Sequence, residues 1–201
     1  MLKIGITGGI GSGKTTVCKV FELLGIPIFY ADTAAKLIMK TDPVLKEEIL
    51  KTFGEKTYSN DGKLNRSHLS SIVFNNESEL NKLNALVHPT VFRAFDKWLA
   101  MHTDAPYIIK EAALLFETES YKMCDLSVLV VSPEASRVRR IIARDGISQD
   151  EIVLRMQRQL NDEEKIKLAD HILFNDESQL LIPQILALDQ QFLNLVREHD
   201  H

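Results

Sequence analysis

The sequence contains only two cysteines, Cys18 and Cys124, which lie far apart along the chain. Their separation excludes the close cysteine spacing of a zinc site and the dense cysteine pattern of a small disulfide-stabilised domain. The N-terminal segment MLKIGITGG also lacks the apolar core of a signal peptide. Because disulfides are rare in reducing compartments, we expect a cytoplasmic protein without structural disulfides.

The chain also lacks an excess of positive charge and any apolar run long enough to span a membrane. Its formal net charge of −4 argues against a general nucleic-acid-binding protein, although a local basic site is compatible with it. We therefore expect neither a nucleic-acid partner nor a membrane partner. We expect a monomer or a small homo-oligomer. The 201 residues, 45% hydrophobic and 26% charged, fit one globular domain with an insertion.

The chain begins with a β-α-β pattern. The segment LKIGIT is short, apolar and β-branched, and it ends at two glycines, which predicts a buried strand. The spacing of Val17, Val20, Phe21 and Leu24 predicts a helix that stops at Gly25, and IPIFY is predicted to be the next strand. This order of elements predicts a parallel sheet with a right-handed crossover.

Residues 32–103 are predicted to be mainly helical. The apolar residues of TAAKLIMK, DPVLKEEILKTFG, NRSHLSSIVFN and ESELNKLNALVHPTVFRAFDKWLAM recur at helical spacing. Pro89 disfavours helical geometry at His88, so we expect a break or a new helix start there. A stretch of this length is too long for a simple crossover, and we interpret it as an all-helical insertion.

Strands resume at PYIIKEA, DLSVLVV and HILFN, and helices follow at PEASRVRRIIARD and at the C-terminus. Pro183 lies near the start of the C-terminal helix, so regular helix is expected to begin later than its apolar pattern. The charged segment 145–165 is interpreted as a helical lid or a solvated helix pair. The remaining core then comprises residues 1–31, 104–144 and 166–201.

The segment GGIGSGKT matches the phosphate-loop pattern G-x-x-x-x-G-K-[ST]. Its glycines permit a tight turn whose N–H groups point at phosphate oxygens, and the helix that follows adds the positive end of its dipole. Lys14 is expected to reach the β- and γ-phosphates, and the Thr15 hydroxyl to ligate Mg²⁺. The predicted ATP-binding residues of the loop are Gly9, Gly11, Ser12, Gly13, Lys14, Thr15 and Thr16.

Other classes of nucleotide-binding protein fit the sequence less well. The string NKLN is the nearest approach to the guanine motif N-K-x-D, but it lacks the aspartate. The strand VLVVS does not end in the aspartate typical of motor and AAA-type ATPases, whereas YIIKE ends in Glu111, a candidate for a position near the metal. The pattern favours a small kinase with a sheet, a helical acceptor-binding insertion and a lid.

Several polar residues have both a structural and a functional interpretation. Asp32 follows the second strand, where it is either the N-cap of a helix or a carboxylate that orients an acceptor hydroxyl and takes its proton. Arg140 and Arg144 lie four residues apart, so they either neutralise phosphate charge together or belong to a solvated basic face. A lone histidine such as His88 is more often structural than functional, and Arg66 is a candidate for binding an acidic substrate that by itself reads as a surface arginine.

The chain resembles the dephospho-CoA kinase family over nearly its whole length. The resemblance is carried by GITGGIGSGKTTV, ADTAAK, LNRSHLSSIVF, LNALVHP, ALLFE, PEASRVRRIIARDGIS, RMQRQ and ADHILFN. It implies ATP-dependent phosphorylation of the ribose 3′-hydroxyl of dephospho-CoA. It also implies a nucleoside-monophosphate-kinase-like α/β fold, with a P-loop kinase core, a five-stranded parallel sheet flanked by helices, a helical CoA domain and a helical lid.

The resemblance also implies roles for individual residues. The catalytic residues would be Asp32 as base or hydroxyl-orienting group, with Lys14 and Arg140 stabilising the moving phosphoryl group. On the ATP side, Arg144 would lie near the adenine and the lid, and Asn175 near the adenine. The acceptor would be bound by Thr7, Asp32, Arg66, His88, Glu111 and Leu115.

This chain departs from the family pattern in three places. Tyr30 stands where the family often has a further aspartate, so Asp32 is the carboxylate that remains in this string. Ala113 stands where a proline is common. One additional residue before the R-x-x-x-R-D segment leaves the assignment of Arg139 versus Arg140 open.

Two alternative functions remain open on the sequence alone. One is a kinase that acts on another small metabolite or on a nucleoside monophosphate. The other is a regulatory module that binds nucleotide and CoA-type ligands without turnover. The combination of Lys14, Thr15 and Asp32 disfavours the second, because a binding module needs no carboxylate at an acceptor hydroxyl.

Overall fold

The computed structural model describes residues 1–74 and 76–199. The chain forms two compact units, one made of Met1–Tyr30 with the chain from His102 onward, and one made of Ala31–Met101. The helices, numbered along the chain, are α1 (Lys14–Leu23), α2 (Ala31–Thr41), α3 (Pro43–Phe53), α4 (Arg66–Val73), α5 (Glu77–Leu99), α6 (Glu134–Asp145), α7 (Gln149–Met156), α8 (Asp162–Leu168) and α9 (Leu181–His199). Within the described residues, no helix is both long enough and apolar enough to cross a membrane.

The first unit is built on a five-stranded parallel sheet. The strands are β1 (Leu2–Gly8), β2 (Ile28–Tyr30), β3 (Tyr107–Glu111), β4 (Leu126–Val131) and β5 (His171–Phe174). They lie in the order β2-β3-β1-β4-β5, and every neighbouring pair is parallel. The predicted fold class is thereby confirmed. β1 is the central strand, and its apolar residues suit a position that is buried on both faces of a parallel sheet.

The core of the first unit lies between the sheet, α1 and α9. Phe21 of α1 and Phe192 of α9 are both fully buried, and both rings form T-shaped contacts with the ring of Tyr107 at the start of β3. The hydroxyl of Tyr107 donates a hydrogen bond to Asp189 on α9. The helical spacing of apolar residues in α1 and α9 therefore fixes both helices on the sheet that carries the phosphate loop.

The second unit consists of α2 to α5. The predicted break at His88 is wrong, because α5 is continuous from Glu77 to Leu99 with Pro89 inside it. Proline removes one backbone donor from a helix, but Val87 and Val91 are buried on either side of Pro89 and hold the helix by packing. The Thr90 hydroxyl also donates a hydrogen bond to the carbonyl oxygen of Leu86 at 3.4 Å.

The later start predicted for the C-terminal helix is also wrong. Helix α9 begins at Leu181, so Pro183 is its third residue. The first four N–H groups of a helix have no intrahelical partner, and a proline there removes no helical hydrogen bond. The same lack of partners explains why Pro43 begins α3, where the side chain of Asp42 caps the helix by accepting a hydrogen bond from the N–H of Leu45 at 2.9 Å.

Candidate active site

The phosphate loop connects β1 to α1 and holds Lys14 in a fixed position. Gly13 caps α1 with φ of 100°, a left-handed conformation that favours glycine, and no side chain caps this end of the helix. The Lys14 Nζ donates hydrogen bonds to the carbonyl oxygens of Gly8 at 2.8 Å and Gly9 at 3.4 Å. Since Lys14 is only 9% exposed, its charge is held against the loop at the positive end of the α1 dipole.

A cavity of about 270 Å³ lies at this loop. It brings the loop and the start of α1 together with basic residues of α6, and its lining consists of Gly11, Gly13, Lys14, Thr15, Thr16, Arg140, Ile141 and Arg144. Backbone amides at a helix start, one lysine and two arginines form the donor set that recognises a polyphosphate.

The structure distinguishes the arginines of α6. Arg140 lines the cavity, and its guanidinium donates to the Ser132 hydroxyl at 3.0 Å and to the carbonyl oxygen of Asn175 at 3.3 Å. Arg139 is 69% exposed and lies 3.3 Å from Glu177, outside that cavity. The geometry therefore favours Arg140 over Arg139 as the phosphate-facing residue.

Arg144 reaches the cavity from the last turn of α6. Its guanidinium makes a two-pronged contact with Asp145, at 2.7 and 2.8 Å. That hydrogen bond raises the pKa of Arg144 above its usual value and lowers the pKa of Asp145. Asp145 therefore orients the Arg144 guanidinium and leaves it one of the cationic groups at the cavity.

Asn175 lies behind the phosphate loop. Its side-chain amide donates to the carbonyl oxygen of Ser12 at 2.8 Å, and its N–H donates to the carbonyl oxygen of Val131 at 2.8 Å. A Cβ atom at Gly13 would lie 2.3 Å from this amide, so the loop requires glycine there. Asn175 thus supports the loop, and the contact with adenine implied by the resemblance stays a prediction.

Two buried hydroxyl groups of this region lack protein hydrogen bonds. Thr7 is fully buried and Ser12 is 1% exposed, and neither hydroxyl has a hydrogen-bond partner among the described residues. Leaving a buried hydroxyl without a partner is unfavourable. Their position at the end of β1 and in the loop fits a site completed by a ligand.

The ends of β3 and its following segment place two further predicted residues. Glu111 is the last residue of β3 and is 7% exposed, in register with Ile6 on one side and Tyr30 on the other. Leu115 is fully buried, and its side chain lies 2.7 Å from the position a Cβ atom would take at Gly5. The Leu115 side chain thus belongs to the core, which leaves its backbone for any contact with substrate.

Cys18 lies on α1 in the same core. Burial, and to a smaller extent the negative charge of Glu111, raises the pKa of the Cys18 thiol far above its ordinary value. A neutral buried thiol is a poor nucleophile. Cys18 therefore serves as a packing residue of α1.

Three of the six predicted acceptor residues, Asp32, Arg66 and His88, lie in the second unit. Asp32 is exposed in the first turn of α2, so its interpretation as the N-cap residue is wrong: the helix already begins at Ala31. Arg66 is exposed at the first position of α4, and His88 is partly buried in α5 with its ring 6.2 Å from that of Phe92.

The segment between α7 and α8 contacts the phosphate loop through residues that the sequence did not single out. The side chain of Gln159 accepts a hydrogen bond from the N–H of Ile10 at 2.8 Å. Arg137 of α6 also lies against the loop, and it pairs with Asp162 at the start of α8 at 3.1 Å. A Cβ atom at Gly9 would lie 1.9 Å from the Arg137 guanidinium. The string RMQRQ contains both Gln157 and Gln159, and the sequence does not indicate which of the two contacts the loop.

A buried ion pair anchors α8. Lys165 is fully buried, with its Nζ 3.2 Å from the Oε1 of Glu117, and the same oxygen accepts the N–H of Leu160 at 2.9 Å. We expect Lys165→Met to lower the free energy of unfolding by about 3 kcal/mol, because it leaves a desolvated carboxylate without its cation. Urea unfolding measures this change.

The matched control for this stability test is Lys51→Met. Lys51 and Glu47 form an exposed pair at 2.7 Å on α3, and such pairs add little to stability. The urea midpoint of this control should stay that of the unaltered protein. A Lys165→Met midpoint equal to that of the control would contradict the anchoring role of the buried pair.

The sequence of this chain matches a protein family and its curated members over most of its length. The family described as "CoaE: Dephospho-CoA kinase" matches residues 2–180. A dephospho-CoA kinase of Salinibacter ruber is 43% identical over 178 residues, which cover 88% of this chain and 89% of that protein. A dephospho-CoA kinase of Bacteroides fragilis is 37% identical and covers 93% of this chain and 91% of its own length.

Solved structures agree with the sequence comparison. A protein of Thermus thermophilus superposes with a TM-score of 0.85 and 34% identity, covering 94% of this chain and 96% of that one. A dephospho-CoA kinase of Campylobacter jejuni superposes with a TM-score of 0.70 and 26% identity, covering 96% and 97%. With a family match over most of its length and a basic cavity at its phosphate loop, this chain belongs to the dephospho-CoA kinase family.

Proposed function

We propose that this protein transfers the γ-phosphoryl group of ATP to the ribose 3′-hydroxyl of dephospho-CoA, giving CoA and ADP. This reaction is the final step of coenzyme A biosynthesis. The observation that carries the proposal is the cavity at the phosphate loop that Lys14, Thr15, Arg140 and Arg144 line, in a chain that belongs to this family. Phosphoryl transfer depends mainly on positioning and charge stabilisation, which this donor set supplies.

On the ATP side, the loop amides and α1 hold the phosphates. Lys14 and Arg140 stabilise the charge that builds up on the transferred group, and Arg144 binds toward the nucleoside. Asn175 keeps the loop in shape through its hydrogen bond to Ser12. The unpartnered hydroxyls of Thr7 and Ser12 are further candidates for contacts in the liganded protein.

The residues present fit Mg²⁺ bound together with ATP. Among the described residues there is no group of three or more histidine, cysteine, aspartate or glutamate side chains that could hold a metal ion. Mg²⁺ is usually bound by only a few protein oxygens, and water and substrate phosphates supply its other ligands. The Thr15 hydroxyl, together with Glu111 at the end of β3, the strand next to β1, is therefore a suitable donor set. Bound there, the ion would neutralise charge on the β- and γ-phosphates.

The acceptor is assigned to the helical unit. Asp32 orients the 3′-hydroxyl and takes its proton, while Arg66 and His88 bind the acceptor. We further propose that residues 32–103 form the CoA-binding domain and 145–165 the lid. The protein is proposed to act in the cytoplasm as a monomer or small homo-oligomer.

The activity is tested by measuring ADP release with ATP and Mg²⁺ against dephospho-CoA, AMP, CMP, shikimate and gluconate. We expect turnover with dephospho-CoA to exceed that with every other acceptor. The product should match authentic CoA in chromatography, which identifies the 3′-position. If ADP release does not depend on dephospho-CoA, the proposed function is wrong, and turnover with another acceptor would identify the alternative kinase.

A further inference from the structure

Gln159 uses both ends of its side-chain amide. Its Oε1 accepts the N–H of Ile10 at 2.8 Å, and its Nε2 donates to the carbonyl oxygen of Ala113 at 2.8 Å. Because one neighbour is a donor and the other an acceptor, only one orientation of the amide satisfies both. Gln159 thus bridges the phosphate loop and the segment that follows β3.

Several contacts fix Gln159 in this place. Its own N–H donates to the carbonyl oxygen of Met156 at 3.0 Å, and the next residue, Leu160, donates its N–H to Glu117 at 2.9 Å. The start of α8 is closed by a capping box between Asn161 and Glu164. The amide is therefore carried by a rigid turn rather than by a free loop.

The hydrogen bond to Ile10 controls a peptide group that also contacts Lys14. The N–H of Ile10 and the carbonyl of Gly9 belong to one planar peptide, so fixing one fixes the other. The Gly9 carbonyl oxygen accepts the Nζ of Lys14 at 3.4 Å and the N–H of Ser12 at 3.0 Å. Rotation of this peptide would turn the carbonyl away from both partners.

We propose that Gln159 is a positioning residue, which orients the Lys14 ammonium through the Gly9–Ile10 peptide. The inference rests on the proposed function, since it assigns Lys14 to the transferred phosphate. It also makes the turn between α7 and α8 a support of the phosphate loop.

The test compares Gln159→Met with Gln157→Met. Methionine keeps the length of the side chain but has no amide, and Gln157 is an exposed glutamine on the same turn. For Gln159→Met, we expect kcat to fall roughly 10-fold through misplacement of Lys14, while the KM for dephospho-CoA changes less than about twofold. Gln157→Met should behave as the unaltered protein.

Amide hydrogen exchange, read by NMR without any substrate, tests the contact itself. Loss of one hydrogen bond should accelerate exchange at Ile10 roughly 3- to 10-fold in Gln159→Met and leave it unchanged in Gln157→Met. If Gln159→Met does not fold, Gln159→Asn replaces it, because its amide is one methylene too short to reach both partners.

Unchanged exchange at Ile10, or a kcat within twofold of the unaltered protein, would overturn the proposal. A drop in kcat that is matched by an equal loss of folded protein would also overturn it, since a merely structural residue gives that result. If the unaltered protein shows no turnover with dephospho-CoA, the proposed function fails. The exchange at Ile10 and the affinity for ATP alone then still decide whether Gln159 supports the loop.

Discussion

Replacement of Lys14 by alanine should reduce phosphoryl transfer about 10³-fold or more, to the limit of detection. The Lys14 Nζ is held by the carbonyl oxygens of Gly8 and Gly9 and lines the cavity with Arg140 and Arg144. Its charge therefore lies in a fixed position in a partly desolvated site, where a preorganised cation stabilises developing phosphate charge more than it does in water.

The measurement is kcat with saturating ATP and dephospho-CoA, together with the circular dichroism and the thermal midpoint of the variant. The matched control is Lys19→Ala, because Lys19 is an exposed lysine on the same helix and lies outside the cavity. The control should keep full activity. If Lys14→Ala retained a tenth of the activity in a folded protein, the assignment of the loop lysine would be wrong.

The phosphate loop was predictable because its chemistry is local. Glycines, lysine and threonine at fixed spacing determine the turn, and the apolar runs on either side determine β1 and α1. The structure confirms the five-stranded parallel fold, and the comparisons confirm the family. The roles of single residues and the domain boundaries stay predictions, because a pattern identifies residue types and does not fix what they contact.

The local rules gave wrong answers where distant packing decides the outcome. Pro89 is a helix breaker by its own chemistry, yet α5 runs through it because buried residues hold both sides. Gln159 was missed for a similar reason. Its partner Ile10 lies 149 positions away along the chain, and no short-range spacing reports such a contact.

The structure shows what surrounds Tyr30, the residue that stands where the family often has a further aspartate. Its hydroxyl donates a hydrogen bond to Glu22 on α1 at 3.1 Å. Partial burial, with smaller effects from Cys18 and from Glu22, raises the pKa of the Tyr30 phenol far above its ordinary value. The phenol thus stays protonated and does not supply the negative charge of the carboxylate that the family often has at this position. Base catalysis by Asp32, the carboxylate that remains in this string, stays a prediction.

Asp32→Asn should lower kcat by ~10² or more, the scale of general-base effects, while both substrates still bind. Asp32 is the second residue after β2, and it is exposed in the first turn of α2 rather than engaged as a cap. Asparagine keeps the size and polarity of the side chain but cannot accept a proton. Binding that is intact with slow turnover would therefore separate proton transfer from substrate positioning.

Calorimetry should give dissociation constants for ATP and dephospho-CoA within about twofold of the unaltered protein, since the change leaves charge on the phosphate side untouched. Asp96→Asn is the matched control, because Asp96 is an exposed aspartate on α5 of the same unit. Near-normal turnover of Asp32→Asn would reduce Asp32 to a residue that favours the start of α2 through the helix dipole. The base would then have to be sought outside the string IFYADTAAK, and Glu111, which is in register with Tyr30 on the neighbouring strand, would be the first carboxylate to test.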